Sequence, residues 1–295
     1  MLKRDKWLYF LLLPGILYFI IFKYVPMWGV LISFQNYSPF LGFWESEWVG
    51  FEHFKTFFTN PDFFRLFRNT LALAALDLIF FFPAPIILAL CLNEIRINAY
   101  KRTIQTLVYV PHFMSWVIIA SITYVFFTTG GGVINELVAH FTGKEISFLS
   151  HPDWFRPLII LQIMWKESGW GTVIFLAALA SVSKDQYEAA IMDGAGRFKR
   201  MWHVTLPALK STIIILLILR LGNFLDQGFQ QLYLMTNALN REVADVFDTY
   251  VYFMGLTQGA FSYSTAVGLF KGVVGIILII GADRLAKKIG EDGLF

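Results

Sequence analysis

An all-α protein that crosses a membrane several times is the fold class this sequence predicts, on three observations. Of its 295 residues, 57% are hydrophobic and only 15% charged, whereas a soluble domain carries about 25% charged residues; the mean hydropathy is +0.59. Six apolar runs reach the roughly 20 residues that one bilayer crossing requires: 7–31, 69–92, 103–127, 157–182, 211–235 and 262–286. Basic residues crowd into alternate connections between those runs. Together they predict six transmembrane helices in one domain, 1–295.

The first run follows a basic N-terminus, residues 1–6, as a secretory signal does. It continues past Lys23 and Pro26 and meets no small-x-small cleavage site, so it reads as an uncleaved first span. Pro14, Pro26, Pro83, Pro85 and Pro111 all fall within spans. Prolines are tolerated there when neighbouring helices or polar groups take up the freed carbonyls. Placing both termini inside puts fourteen of the 24 Lys and Arg residues on inner segments and six on outer ones, a positive-inside bias.

Three loops then face outward. The first, 35–67, spaces Phe51, Phe54, Phe57, Phe58, Phe63 and Phe64 as an amphipathic stretch lying at the interface. The second, 128–156, opens with Gly130-Gly131-Gly132, a turn; no Lys-Ser/Thr follows to make a phosphate cradle. The third, 236–261, is acidic through Glu242, Asp245 and Asp248. Cys91 stands alone in an apolar run, excluding an internal disulfide and suggesting a buried small hydrophobe. The five histidines are scattered, no metal site is expected, and a net charge of +3 gives no reason to expect nucleic acid.

The inner connection 183–210 is the most informative segment. Ser183-Lys184-Asp185-Gln186 reads as a capping box starting a short helix over 184–192, with Asp185 and Glu188 near its positive end. Gly194 and Gly196 break that helix. A second short helix over 197–203 puts Phe198, Met201 and Trp202 on one apolar face, and Thr205-Leu206-Pro207 reads as the capped start of the fifth span. The expected product is a helix-turn-helix under the membrane, rigidly continuous with two spans.

Glu188-Ala189-Ala190, then Asp193-Gly194-Ala195, Phe198 and Leu206-Pro207 resemble the EAA loop of permease subunits of binding-protein-dependent ABC importers. Val49-Gly50-Phe51-Glu52-His53-Phe54 extends the likeness to the carbohydrate branch. Glu242-Val243-Ala244-Asp245-Val246, Asp248-Thr249-Tyr250-Val251-Tyr252 and Thr265-Ala266-Val267-Gly268-Leu269-Phe270-Lys271 resemble its subgroup for polysaccharide fragments such as alginate, aldouronate and rhamnogalacturonan. One departure is Lys184, where sugar permeases often carry proline.

The resemblance implies a type I ABC importer permease fold in a bacterial cytoplasmic membrane, with both termini cytoplasmic. It implies that Glu188, Ala189, Ala190, Asp193, Gly194, Ala195, Phe198, Leu206 and Pro207 couple the chain to an ATPase. The implied partners are a second homologous permease subunit, two cytoplasmic ABC ATPases, an extracytoplasmic sugar-binding protein, an oligosaccharide and membrane lipid. No cofactor is expected on this chain, which lacks a nucleotide-binding motif and is not expected to be an enzyme; ATP and Mg belong to the ATPase subunits.

Charged groups inside spans usually mark a pathway; here they are Lys23, Asp77, Lys166, Glu167, Arg220, Asp226 and Lys271. In a continuous fifth helix, Arg220, Asn223, Asp226, Gln227, Gln230 and Gln231 would share an arc of about 140° at about 100° per residue. The fourth span offers Trp165, Lys166, Glu167, Ser168 and Trp170, and the third His112, Ser115 and Trp116. Amides and carboxylates suit sugar hydroxyls, indoles suit sugar ring faces, and Lys166 and Arg220 suit a uronate carboxylate. The candidate path is therefore Lys166, Glu167, Trp170, Arg220, Asn223, Asp226, Gln227 and Gln230. Two bland readings compete: Lys166 and Glu167 pairing with Asp226 or Asp77 to hold helices together, and the amides serving as interhelical glue. The rival function is a stand-alone ion-coupled secondary transporter with Asp77, Glu167 or Asp226 as proton relays, which would call for inverted repeats with broken helices.

Overall fold

A computed structural model describes residues 6–290 and 293–294, so the basic N-terminal residues 1–5 of the sequence reading lie outside the described residues. The chain gathers into two units, one running through Phe63 and adding Tyr250–Gly272, the other formed by Phe64–Thr249 and the chain from Val273. Helices dominate both, and the only strands among the described residues are the two-residue pair Gln35–Asn36 and Glu47–Trp48. Among the described residues, three helical segments are long and apolar enough to cross a membrane: Tyr9–Phe34, Phe63–Asn93 and Phe261–Lys288. Two bent pairs add to these, Asn98–Phe113 with Trp116–Phe127, and Arg197–Ala208 with Lys210–Gly222. The helix Pro152–Ala180, 29 residues long, covers the fourth expected span.

Prolines leave a recurrent mark. In a helix, proline lacks an N–H and its ring collides with the carbonyl four residues back. Pro26, Pro83 and Pro207 each follow a wide π turn, over Ile20–Tyr24, Asp77–Phe81 and Met201–Thr205. There the backbone bonds to the fifth residue back, as Phe82 N does to Asp77 O at 3.0 Å. The extra residue moves the obstructed carbonyl aside while keeping the ladder satisfied, which hydrocarbon surroundings demand. Pro111 acts differently: the third span tightens at Val110–Phe113 and turns by 102°.

In the first unit, none of the apolar window of the first span is buried among the described residues. The strand pair is locked by Gln35, whose Nε2 donates to Phe43 O at 3.0 Å and whose carbonyl lies 2.9 Å from His53 Nε2. The loop phenylalanines divide, as an amphipathic stretch does, between a packed face and an exposed one. Phe57 is fully buried against Phe63 and Phe270, with centroids at 5.0 and 5.3 Å, while Phe51 and Phe64 remain exposed. Spacing alone did not tell a membrane face from a core.

The second unit is organised around Pro152–Ala180. Phe155 and Ile159 join Leu73, Leu232, Met235 and Val246 in one cluster, and Phe175 and Leu179 join Ile86, Ala89 and Leu209 in another. Between them lies buried polar stitching. Gln162 Nε2 donates to Thr123 Oγ1 at 2.7 Å, and Gln231 Nε2 to Gln162 Oε1 at 2.9 Å and Ile159 O at 2.8 Å. Gln231 therefore holds helices together, a role the glue reading gave to Asn223, Gln227 and Gln230 instead. Cys91, expected to be buried, is exposed on its helix.

Small residues set the helix spacing. A Cβ on Gly169 would fall on the carbonyl of Val108, and one on Gly275 would fall on that of Gly222. Such contacts are what glycine permits between transmembrane helices. Gly169→Ala should therefore force the bent third span away from its neighbour, with a destabilisation of about 1–3 kcal/mol. Thermal unfolding of the purified protein in detergent checks this; an unchanged Tm would refute the close packing.

Candidate functional site

The inner segment forms the elbow that the sequence predicts, with two changes. Ser183 caps Lys184–Met192, its Oγ accepting from Asp185 N at 3.1 Å, the serine half of the expected box. The helix ends in a Schellman motif: Ala195 N bonds back to Ala190 O, and Gly194 N to Ile191 O, both at 2.9 Å. Gly194 sits at φ +75°, which a side chain adopts only under strain. The first change is that helical backbone runs on from Arg197 through Met201–Thr205 to Ala208. Thr205 is thus no cap but a buried residue whose hydroxyl accepts from Tyr187 Oη at 3.2 Å, tying the two arms together. The second is that the bend into Lys210–Gly222, 57°, comes at Leu209, after Pro207 rather than before it.

Glu188, Ala189, Asp193, Gly194, Phe198 and Pro207 are exposed on this elbow, and Ala190, Ala195 and Leu206 are half-buried. Ile191, Met192, Phe198 and Trp202 add large apolar surface, Met192 being 86% and Phe198 82% exposed. Contiguous exposed apolar surface of this kind marks an interaction site.

The path residues fall into two groups. Around the bend of the third span, His112 Nδ1 lies 2.7 Å from Glu167 Oε2, and Lys166 Nζ donates to His112 O at 2.5 Å. Lys166 Nζ is also 3.2 Å from Glu167 Oε1 and sits over the Trp116 ring at 5.4 Å. Trp170 stacks flat on His112, with centroids at 4.6 Å and planes within 2°. Lys166 and Glu167 thus pair with each other and with His112, which corrects the expected partners Asp226 and Asp77. Pro111 hinted at a bend, but that the bend would deliver an imidazole to Glu167 depended on two distant segments.

The second group follows Lys210–Gly222, and here the expected continuous helix is corrected. The chain leaves the helix at Asn223, runs irregularly to Gly228 at φ +78°, and resumes as Phe229–Met235. The polar arc is therefore a broken span. Arg220 makes a bidentate pair with Asp77, Nε to Oδ2 at 2.7 Å and Nη2 to Oδ1, and stacks on Phe81 at 5.1 Å. Asn223, Asp226 and Gln227 line a small cleft with that pair. Gln227 is held by Asp248 Oδ2, which accepts from its backbone N at 2.8 Å. Gln230 stays exposed on the following helix. On its other side, Arg220 and Asn223 close the polar end of a cavity of about 270 Å³ walled by Phe82, Phe175 and Leu216. Asp77 is 7% exposed and reaches Arg220 from the widened turn before Pro83.

Removing one partner of a buried pair costs about 3–5 kcal/mol, a figure that the partial exposure of Arg220 lowers. Asp77→Asn should therefore destabilise the protein by about 1–3 kcal/mol. The Asp77→Asn/Arg220→Gln double variant should lose less than the sum of the single losses. Denaturation of all four forms checks this, and strict additivity would show that the pair is not coupled.

Residues 81–291 match the family described as binding-protein-dependent transport system inner membrane component. The chain is 72% identical to Protein LplB of Bacillus subtilis (strain 168), over 100% of this chain and 92% of that protein. It is 59% identical, with the same coverage, to the polygalacturonan/rhamnogalacturonan transport system permease protein YteP of that strain. Its fold superposes with TM-score 0.91 and 38% identity on a chain of the crystal structure of a bacterial alginate ABC transporter in complex with alginate pentasaccharide-bound periplasmic protein. That match covers 99% of this chain and 98% of the other. The permease fold and the family expected from the EAA loop are both borne out: the chain belongs to the inner-membrane components of binding-protein-dependent transport systems.

Proposed function

We propose that this chain is one transmembrane half of an ABC importer that carries oligosaccharides, uronate-containing fragments in particular, into the cell. It pairs with a second, similar permease subunit. Two cytoplasmic ATPases bind ATP and Mg, and an extracytoplasmic binding protein delivers the sugar. Both termini and the elbow lie on the cytoplasmic side. The observation that carries this reading is the elbow: exposed small and apolar residues, held rigidly by the Schellman turn and the Tyr187–Thr205 bond, lie between the helix Pro152–Ala180 and the helix Lys210–Gly222. The names of the relatives, a polygalacturonan/rhamnogalacturonan permease and an alginate transporter, support an acidic oligosaccharide.

The mechanism follows from the joints. Nucleotide closes the ATPase dimer, which draws in the surface formed by Glu188, Ala189, Ala190, Asp193, Gly194 and Ala195. The elbow transmits that motion through the bend at Leu209 to Lys210–Gly222, and the irregular 223–228 stretch beyond it absorbs the change. Arg220, paired with Asp77, offers its guanidinium to a substrate carboxylate as the path opens, with Asn223, Asp226, Gln227 and Gln230 meeting hydroxyls. Lys166, Glu167 and Trp170, braced on His112, line the same path from the fourth span. A ligand shifts such an equilibrium only by binding its states unequally, and Arg220 supplies that difference by exchanging one carboxylate for another.

A Cβ on Gly194 meets nothing within 4 Å of this chain, although the φ of +75° strains any side chain placed there, so two substitutions are compared. Gly194→Asn keeps a residue that tolerates positive φ, whereas Gly194→Trp places bulk on the docking face. The tryptophan variant should insert normally but lose at least 90% of ATP-driven uptake, a loss of order tenfold or more, and the asparagine variant should lose less. Uptake into proteoliposomes with matched protein content decides; full uptake by the tryptophan variant would refute docking at this turn.

A further inference from the structure

We infer that the outer end of the second unit holds a separate sugar-binding subsite, which takes one or two pyranose rings of the transported oligosaccharide through their faces and hydroxyls. The inference rests on the orientation and substrate class proposed above. The site is a cavity of about 450 Å³ between the loop that follows Trp116–Phe127 and the turn at Asn237–Leu239. That volume lies within the roughly 300–1,000 Å³ of small-molecule sites.

The walls match carbohydrate chemistry. Tyr124 and Phe127 line the cavity from the end of their helix, and Phe148, edge-on to Phe127 at 5.4 Å and to Trp154 at 4.8 Å, lines it from the loop. Aromatic faces desolvate the apolar face of a sugar ring. Thr129, Ser147 and Ser150 also line it, and among the described residues their hydroxyls enter none of the side-chain hydrogen bonds that brace the walls. Each offers one donor and two acceptor positions.

The bracing is done by other groups. Asn135, fully buried, donates from Nδ2 to Thr128 O at 3.1 Å and Ile146 O at 2.8 Å, and accepts from Ile146 N at 2.9 Å. Asn237 and Asn240 both donate to Leu149 O, at 2.9 and 3.3 Å. The Gly130-Gly131-Gly132 turn closes the loop: Gly130 and Gly131 sit at φ +72° and +117°, and a Cβ on Gly132 would fall on Thr128 O. Amides and glycines thus hold the cavity in shape and leave its hydroxyls available to a ligand. Preorganisation of this kind lowers the ordering penalty of binding.

No lining residue carries a charge. The subsite therefore does not distinguish a uronate from its neutral sugar; that choice falls to Arg220. Placed at the outer mouth, it would hold a saccharide arriving from the binding protein before it enters the path.

The assembled transporter in nanodiscs, without its binding protein, is titrated calorimetrically with trigalacturonate and with galactotriose. The Thr129→Val/Ser147→Ala/Ser150→Ala variant should weaken both sugars by about tenfold or more, three hydroxyl bonds being lost. It should leave the affinity of the complex for the binding protein unchanged. Ser147→Ala alone, at an exposed position, provides the same reading on a smaller scale should the triple variant fail to assemble. Unaltered sugar affinity, or no binding by the parent complex, would overturn the subsite. A loss confined to binding-protein affinity would also overturn it and make the cavity a protein-docking surface. Failure of the parent transporter to import any oligosaccharide would instead remove the proposed function itself.

Discussion

In hydrocarbon, a polar group without a partner is penalised by several kcal/mol, and this chain is arranged around that constraint. Its backbone forms helices, and where proline removes a donor the helix widens so that the remaining groups stay paired, as before Pro26, Pro83 and Pro207. Its ionic side chains follow the same logic. Arg220 finds Asp77, and Lys166 finds Glu167 and His112. The Arg220–Asp77 pair and the contacts of Lys166 and Glu167 with His112 also join elements far apart in the chain.

The constraint also sorts the polar residues by role. Gln162 and Gln231 are buried; Gln231 donates to Gln162 and to Ile159 O, and Gln162 donates to Thr123. They have little left for a ligand. Asn223, Asp226 and Gln230 stay exposed, beside a break where the backbone itself is irregular. Non-helical backbone at membrane depth is tolerated where protein or a water-filled cavity receives it, and a broken fifth span next to an arginine fits that condition. Irregular backbone and polarity thus coincide in one short stretch, with the elbow at the far end of the preceding helix. The elbow and the polar break are joined by the helix Lys210–Gly222.

Legibility differed by element. The elbow was readable almost residue by residue, because its signals are local: Ser183 capping its own helix, Gly194 at positive φ, and small residues left exposed. The misreadings were equally physical. Thr205-Leu206-Pro207 looks like a helix start because threonine caps and proline opens helices, yet a π turn lets the preceding helix continue and buries Thr205. The polar stripe assumed an unbroken helix, whereas Gly222 and Gly228 let the chain leave it and return. The amphipathic spacing of the loop phenylalanines puts Phe57 against Phe270 and leaves Phe51, Phe58 and Phe64 exposed.

Composition, the six apolar runs, the charge bias and the EAA signature determined by themselves that this is a helical permease with an exposed elbow between two helices. Those features depend on transfer from water and on bonds within a few residues, which are written in consecutive positions. Only the tertiary structure decided which charge neutralises which, where the third and fifth spans break, and that an uncharged cavity opens beside the glycine turn. Those outcomes depend on groups tens to more than a hundred residues apart competing for the same partners, and no local pattern encodes the winner.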